Sequence, residues 1–149
     1  MLYIKKLIIA VLSAFAILAG CAGCHAIFPT TAEVYKEKWG ITLPDNLEKQ
    51  YDVSEYGGTG DGWEYEIFSF KNNEPDLSFL SDMSSQKNDE IQNKITDILK
   101  EVKADGKQYP DFSHSYEWKI LTNKKNIKDK LYIMYDKDTL LLYFVQDIY

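Results

Sequence analysis

The residues with the clearest chemical potential are Cys21, Cys24 and His25, which stand in the stretch CAGCH. Two cysteines separated by two residues and followed by histidine match the spacing that attaches haem covalently. A haem protein also needs a pocket folded around this motif, and usually a second axial ligand. Here the motif directly follows an apolar run and precedes the short stretch AIFPTT. We therefore predict no haem and no other cofactor.

The segment before Cys21 has the layout of an export signal. Lys5 and Lys6 are its only charges, and the run from Leu7 to Leu18 is almost entirely apolar. A basic start, a short apolar run and small residues before a cleavage point are typical of a secretory signal. The run has 12 residues, fewer than the roughly 20 that a membrane-spanning helix needs. We expect residues 1–20 to be a signal peptide that is removed.

The end of that segment, Leu18-Ala19-Gly20-Cys21, resembles the lipobox of bacterial lipoproteins. The resemblance implies that a diacylglyceryl group is attached to the Cys21 sulfur and that the chain is cut before Cys21. It also implies that the mature protein is held by this lipid on the extracytoplasmic face of the cell membrane. Residues 21–30 would then form a tether, in which Cys24 is an unpaired thiol.

The charge of the remaining chain limits its partners. Removing Lys5 and Lys6 leaves 15 lysines against 23 acids, a formal charge of −8, and the chain contains no arginine. Nucleic acid and anionic lipid head groups attract basic surfaces, not acidic ones. Without arginine, the chain also lacks the planar fork that binds phosphate or carboxylate through two parallel hydrogen bonds. We therefore predict no nucleic-acid partner and a domain that stands away from the membrane surface.

Histidine-based chemistry has few candidate residues. His25 lies in the predicted tether, and His114 is the only other histidine. His114 begins the alternating pattern HSYEWKI, which favours a structural, partly buried histidine on a strand. One histidine in the folded part is too few for a His-rich zinc site. The sequence therefore predicts no metal site and no histidine-dependent catalysis.

Carboxylates are better represented. Asp61, Glu64 and Glu66 lie in or beside the glycine-rich segment GGTGDG. Two carboxylates suffice for acid–base cleavage of a glycosidic bond, so a carboxylate-dependent hydrolase acting on cell-envelope glycan is one hypothesis. Among 23 acids, however, a cluster of three is common, and a solvated hairpin is the better explanation, because loops usually lie at the surface. We favour a protein that is not an enzyme and keep the hydrolase as the alternative.

The same glycine-rich segment is also the predicted binding site. Loops on a rigid scaffold commonly carry binding residues. Asp61 offers a hydrogen-bond acceptor, and Trp63 and Tyr65 offer the aromatic faces that are enriched at interfaces. We therefore predict that Asp61, Trp63 and Tyr65 contact a cell-envelope glycan or a protein partner. The leading hypothesis is a non-enzymatic binding or interaction module.

The helices that position these residues follow from hydrophobic periodicity. A first helix is predicted to begin at Thr30 or Thr31, to run through AEVYKEKW and to stop at Gly40, a residue type that commonly terminates helices. A second is predicted near residues 88–103, where isoleucine, leucine and valine recur at helical spacing. Between them, Asn73 and Pro75 predict a short helix, with asparagine as its cap and proline in its first turn.

The strands follow from alternation and turn residues. One hairpin is predicted across GGTGDG, one strand from His114 to Ile120, and a second hairpin joining KLYIMY to TLLLYFVQDIY through DKD. The last two strands are apolar on both faces, which is typical of central strands in a covered sheet. The order α-ββ-αα-βββ predicts an α+β domain over residues 31–149. Its sheet is mostly antiparallel, with about five strands and helices packed against it.

Overall fold

The computed structural model of this protein describes residues 29–149. The predicted signal, the lipobox and Cys24 therefore lie outside the described residues. The helices and strands are α1 (Thr31–Trp39), β1 (Leu47–Tyr56), β2 (Gly62–Phe70), α2 (Asp89–Glu101), β3 (Tyr116–Thr122), β4 (Lys130–Asp136) and β5 (Leu141–Ile148). This arrangement confirms the predicted α+β class.

The predicted helix at Asn73 is wrong. Residues 71–73 form a single 3-10 turn, and the residues from Glu74 to Leu77 are not helical. Asn72 and Asn73 have φ angles of 60° and 54°. These left-handed values stop a right-handed helix at this point, and asparagine is one of the few residue types that adopts them readily. The observed order is therefore α-ββ-α-βββ.

The five strands form one sheet in the order β1-β2-β5-β4-β3, and every neighbouring pair is antiparallel. β5 is the last of these strands in sequence but the central strand in space. β1 and β3 lie at the two edges. The prediction that β4 and β5 are interior strands of a covered sheet is thus confirmed, because each has a neighbour on both sides.

Helix α1 packs on one face of this sheet, which we call the α1 face. Its side chains Tyr35 and Trp39 are buried against Phe68 and Phe144 of the two central strands. The helix ends at Gly40, whose φ of +71° is the left-handed conformation expected of a residue just past a helix. After this turn the chain passes into β1.

Helix α2 packs on the opposite face, the α2 face. Asn88 caps its first turn by accepting a hydrogen bond from the Ile91 amide at 3.2 Å. Its apolar stripe, Ile95, Ile98 and Leu99, is buried as predicted. The helix contacts β2 and β5. It therefore covers the centre of the sheet and leaves part of β3 and β4 open.

Residues 32–149 form one compact unit that contains both apolar cores. Across residues 29–149, neither helix has the length and apolar character that crossing a bilayer requires.

Candidate functional site

The predicted binding residue Asp61 lies in the β1–β2 turn, residues 57–61, which is exposed. Hydrogen bonds within the turn close it: the Gly57 amide donates to the Asp61 carbonyl oxygen at 2.7 Å, and the Gly60 amide donates to the Gly57 carbonyl oxygen at 3.1 Å. The Thr59 hydroxyl donates to the Asp61 carboxylate at 3.2 Å. Asp61 is therefore at the surface, but part of its hydrogen-bonding capacity is used inside the turn.

The other two predicted binding residues are held by the core. Trp63 is half-buried, and its indole Nε1 donates to Asp147 Oδ1 at 2.9 Å. Tyr65 has no exposed surface, and its hydroxyl donates to the Gln108 carbonyl oxygen. Tyr65 is a core residue and has no surface to offer a partner. Asp61, Trp63 and Tyr65 consequently do not form one binding surface.

A groove opens on the α2 face. Its volume is about 610 Å³, and it lies between helix α2 and the uncovered parts of β3 and β4. We call it the α2 groove. Trp118, Ile120 and Tyr132 from the sheet form its apolar side. Ile120 and Tyr132 lie directly opposite each other across the β3–β4 pair.

This apolar side differs from the predicted buried strand face. The sequence pattern places His114, Tyr116, Trp118 and Ile120 on one buried face, but the strand begins at Tyr116 and Ile120 is 38% exposed. The reason is the position of α2, which packs mainly on the central strands β2 and β5. On β3 it reaches Tyr116, whose hydroxyl accepts a hydrogen bond from Gln92, while Ile120 further along the strand stays exposed. The outer end of an alternating apolar face is therefore left accessible to a ligand.

The helix side of the α2 groove is polar except for Ile91. Glu90, Lys94 and Asp97 line it, with Asn88 and Asn93 beside them. Lys94 Nζ is 2.6 Å from the Oδ2 atom of the buried Asp147. Burial alone would lower the pKa of Lys94, but the hydrogen bond and charge of Asp147 outweigh it and raise that pKa. Lys94 is thus a fixed cation, and the remaining charges on this side are carboxylates.

The Trp118 ring is fixed in place by the chain before α2. The Trp118 indole donates to the Gln86 carbonyl oxygen at 2.7 Å. The backbone of Trp118 also pairs with Ser84, donating at 2.9 Å and accepting at 2.8 Å. This short pairing occupies the outer edge of β3 at that point. The aromatic side of the groove is consequently ordered before any ligand binds, which lowers the entropic cost of binding.

A second cleft, of about 290 Å³, opens beside His114. His114 lies in the turn before β3, where its Nδ1 atom is 2.8 Å from Asp136 Oδ2 and its Nε2 atom is 3.5 Å from Asp111 Oδ2. The hydrogen bond to Asp136 raises the pKa of His114. The cleft is lined by Ser85, Lys87, Ser113, His114, Ser115, Tyr116 and Lys137.

Asp136 is buried at the end of β4, with 1% of its surface exposed. Its Oδ1 atom accepts hydrogen bonds from the Asp138 and Thr139 amides at 2.9 and 3.3 Å. Burial opposes its ionisation, but the hydrogen bonds from His114 and from this turn lower the pKa of Asp136 overall. The DKD turn therefore places a charged, buried carboxylate beside the imidazole.

The carboxylates Glu64 and Glu66 lie on the α1 face in a polar network beneath α1. The Tyr35 hydroxyl donates to Glu66, whose other oxygen is 2.5 Å from Lys49 Nζ. The Gln146 amide donates to Glu64, and to the Tyr35 oxygen at 3.1 Å. Burial, reinforced by the nearby charge of Glu66, raises the pKa of Glu64. Glu66 is buried and Glu64 is half-buried, so neither is the freely solvated hairpin residue that the sequence favours.

The sequence pattern does not predict that these polar groups come together. Gln146 lies in an apolar strand and Trp39 at the end of an amphipathic helix, so neither stands out until α1 packs over β5. The pairing of His114 with Asp136 is equally hidden, because 22 residues separate them. The DKD sequence predicts only a hairpin turn. The two aspartates of this turn are the only local signal of a site, and aspartate is also common in turns for structural reasons.

Comparisons with protein-family models, with curated proteins and with solved structures find no match to this chain. The sites are therefore interpreted from their own geometry and chemistry.

Proposed function

We propose that this protein is a lipoprotein anchored on the extracytoplasmic face of the cell membrane through Cys21, and that its domain is a binding module for envelope glycan. The lipobox resemblance at Leu18–Cys21 supports the anchor. The α2 groove supports the binding function. Ligand sites typically combine an apolar, aromatic lining with a few polar groups that fix the ligand's orientation, and the groove has both.

A neutral glycan suits the groove better than a charged polymer. The flat faces of Trp118 and Tyr132 match the apolar face of a sugar ring. Glu90 and Asp97 accept hydrogen bonds, and Lys94 donates them, so hydroxyl groups of a sugar find partners of both kinds. The formal charge of the whole chain is −6. An anionic polymer would be repelled by that charge, while a neutral polyhydroxylated chain is not.

The single observation that carries this proposal is the exposure of Ile120 in the groove. An exposed isoleucine on a strand, beside two aromatic rings and facing a polar helix side, is the kind of apolar patch that marks a binding surface. Partial burial also raises the pKa of the Tyr132 hydroxyl. That hydroxyl therefore stays protonated at neutral pH and can donate to a ligand.

A sedimentation experiment tests the proposal. Residues 30–149 are mixed with insoluble, purified cell-wall glycan, and the bound fraction is compared between Ile120→Ser and Ile127→Ser. Both isoleucines are exposed, at 38% and 75%, but only Ile120 lines the groove. We expect Ile120→Ser to reduce binding and Ile127→Ser to bind like the wild type. Equal binding by the two variants would remove the groove from consideration, and no binding by the wild type would favour a protein partner.

A carboxylate-dependent hydrolase is the second candidate, and one observation favours it. Glu64 has a raised pKa beside a second carboxylate, Glu66, and a general acid needs such an environment. If this function is right, Glu64→Gln should still bind glycan but should release no reducing sugar. Reducing ends released equally by the variant and the wild type would exclude Glu64 as the acid.

A further inference from the structure

We propose that His114, Asp136 and Asp138 bind one divalent transition-metal ion, with Zn²⁺ the best chemical match. Each of these three residues offers a ligand atom, and the three atoms lie within 4.8 Å of one another. One imidazole and two carboxylates form a mixed nitrogen and oxygen set. Zn²⁺ accepts both ligand types in catalytic and regulatory sites.

The three side chains converge because two loops meet at the end of the sheet. Asp136 and Asp138 belong to the β4–β5 turn, and His114 lies in the turn that leads into β3. The Lys137 amide donates to the Ser115 carbonyl oxygen at 2.9 Å, and the Ser115 amide donates to Asp138 Oδ2 at 3.1 Å. These bonds hold the two loops together, so the candidate ligands are positioned by the fold and not only by their own side chains.

In Asp136 and in His114, one side-chain atom faces a residue outside the proposed ligand set, and the other atom faces the proposed metal site. Asp136 Oδ1 is occupied by the turn amides, while Oδ2 faces His114 Nδ1. The other imidazole nitrogen, Nε2, faces the carboxylate of Asp111 at 3.5 Å. A carboxylate on the far nitrogen is the arrangement that orients metal-binding histidines and fixes their tautomer. Asp111 is thus the positioning residue of the site.

Metal binding would replace the proton that now joins His114 and Asp136. The 2.8 Å separation of Nδ1 and Oδ2 is that of a hydrogen bond. Two ligands of a tetrahedral Zn²⁺ with bonds of about 2.0 Å lie roughly 3.3 Å apart. The bridging proton leaves to solvent, the two atoms separate by roughly half an ångström, and Asp138, which is exposed, moves inward. Binding therefore releases a proton and requires only side-chain movement.

The surroundings are compatible with a cation. Lys137 Nζ is held by Glu117 at 2.7 Å and Lys87 Nζ by the Phe112 carbonyl oxygen at 3.3 Å, so neither lysine is among the groups that contact Asp136. The cleft of about 290 Å³ opens on His114. It gives an ion a path from solvent and leaves room for water or a ligand to complete the coordination.

The experiment uses the full-length lipidated protein in detergent, stripped of metal with a chelator. Cys24→Ser and His25→Ala are introduced first, because a thiol and an imidazole near the N-terminus would also bind zinc. In this parent, calorimetric titration with Zn²⁺ should show saturable binding of one ion. Zn²⁺ should also raise the thermal midpoint, because a ligand that binds the folded state stabilises it. Ca²⁺ should do neither, since imidazole is a poor calcium ligand.

Three variants of this parent test the assignment. His114→Ala and Asp138→Asn should each abolish the saturable binding, and Asp111→Ala should weaken it about 10- to 100-fold. Asp82→Asn, at an exposed aspartate outside the cluster, should bind Zn²⁺ like the parent. Asp138 is exposed, so Asp138→Asn should keep the metal-free melting midpoint. Absence of saturable binding in the parent, unchanged binding in both ligand variants, or equal uptake of Ca²⁺ would overturn the proposal.

Discussion

Trp39 of α1 donates its indole N–H to the side-chain oxygen of Gln146 in β5, with the two atoms 3.0 Å apart across 107 residues of sequence. The nitrogen of the same buried amide donates to Tyr35 and to Glu64. One side chain in the central strand therefore connects helix α1 to the carboxylates of β2. Because Gln146 is only 1% exposed, solvent water cannot supply these hydrogen bonds if the side chain is removed.

Gln146→Ala should lower the free energy of unfolding by about 3 kcal/mol, because it leaves buried polar groups without partners at roughly 1–3 kcal/mol each. Chemical denaturation of residues 30–149 measures this. Gln50→Ala is the matched control, since Gln50 is exposed on β1 and its loss should cost less than about 0.5 kcal/mol. Similar costs for both variants would show that the network contributes little.

Glu64→Gln should stabilise the domain near pH 7, and this gain should shrink as the pH falls. The pKa of Glu64 is higher in the folded chain than its ordinary value of 4.5, so the folded state binds the proton more tightly. The resulting stabilisation is present below the unfolded pKa and is lost as the pH rises through the folded pKa. Because glutamine does not ionise, the Glu64→Gln variant does not lose this stabilisation as the pH rises. In the wild type Glu64 accepts hydrogen bonds from Gln146 and from the Tyr56 hydroxyl. In the variant the amide oxygen still accepts from Gln146, and the amide nitrogen donates to the Tyr56 oxygen.

Unfolding curves collected between about pH 4 and pH 8 measure this effect. Glu48→Gln serves as the control, because Glu48 is exposed on the neighbouring strand and should follow the wild-type pH profile. An equal pH profile for Glu64→Gln and the wild type would contradict the assigned environment of Glu64.

Gly62→Ala should destabilise the β1–β2 hairpin, whereas Gly58→Ala should not. A Cβ atom on Gly62 would clash with the Glu55 carbonyl oxygen and would lie 2.9 Å from the Tyr56 Cα atom, and both are backbone atoms that cannot rotate away. We expect a cost of about 1–3 kcal/mol. A Cβ on Gly58 meets nothing within 4 Å, so that variant should be neutral or slightly stabilised. Thermal melts of the two variants, compared side by side, decide the point.

Trp63→Ala should lower the free energy of unfolding by about 2–3 kcal/mol, less than the 3–5 kcal/mol of a fully buried tryptophan because this ring is half-exposed. Trp63→Phe keeps most of the ring contact and removes only the hydrogen bond to the buried Asp147, so its cost should be about 1 kcal/mol. Should Trp63→Ala melt like the wild type and lose glycan binding, the turn and not the α2 groove would be the binding site.

Cys21→Ser should prevent lipid attachment and leave the larger precursor, because the oxygen of serine does not replace the acceptor sulfur. Immunoblots of membrane and soluble fractions measure both size and location. Cys24→Ser is the matched control and should be processed like the wild type. A Cys21→Ser protein that is cut and released normally would refute the lipobox assignment, and a haem absorption band in the wild type would favour the CxxCH interpretation.

Most of the fold could be predicted because it depends on local patterns. The stripe of Ile95, Ile98 and Leu99 repeats every three or four residues, and this spacing fixes both the helix and its buried side. The apolar residues on both faces of β4 and β5 likewise indicate interior strands. The short helix predicted after Asn73 failed for a local reason as well. Two consecutive asparagines adopt left-handed conformations that a capping signal does not reveal.

The candidate sites could not be predicted to the same degree, because they depend on distant pairs. Tyr65 is buried, although we predicted it in a binding site, and Ile120 is exposed, although its strand pattern suggests burial. Tyr65 is covered because β2 lies under α2, while Ile120 is exposed because α2 reaches Tyr116 at the start of β3 but leaves Ile120 uncovered. Alternation shows which side chains share a face, but not where the covering helix stops. Similarly, nothing local links His114 to Asp136, which meet only when β3 pairs with β4.

The central position of β5 has a consequence for the order of synthesis. During translation, β1 and β2 are the first strands to emerge, and they form a hairpin. The other neighbour of β2 is β5, which is synthesised last. Asp147 of β5 accepts a hydrogen bond from Trp63 of β2 across 84 residues. Until residues 141–148 leave the ribosome, the apolar faces of β2 and β4 have no strand between them, and the sheet is two separate pieces. Such distant pairing makes folding slow. Slow folding of this topology would suit the export that we propose, because a chain must still be unfolded when it is threaded through a membrane channel.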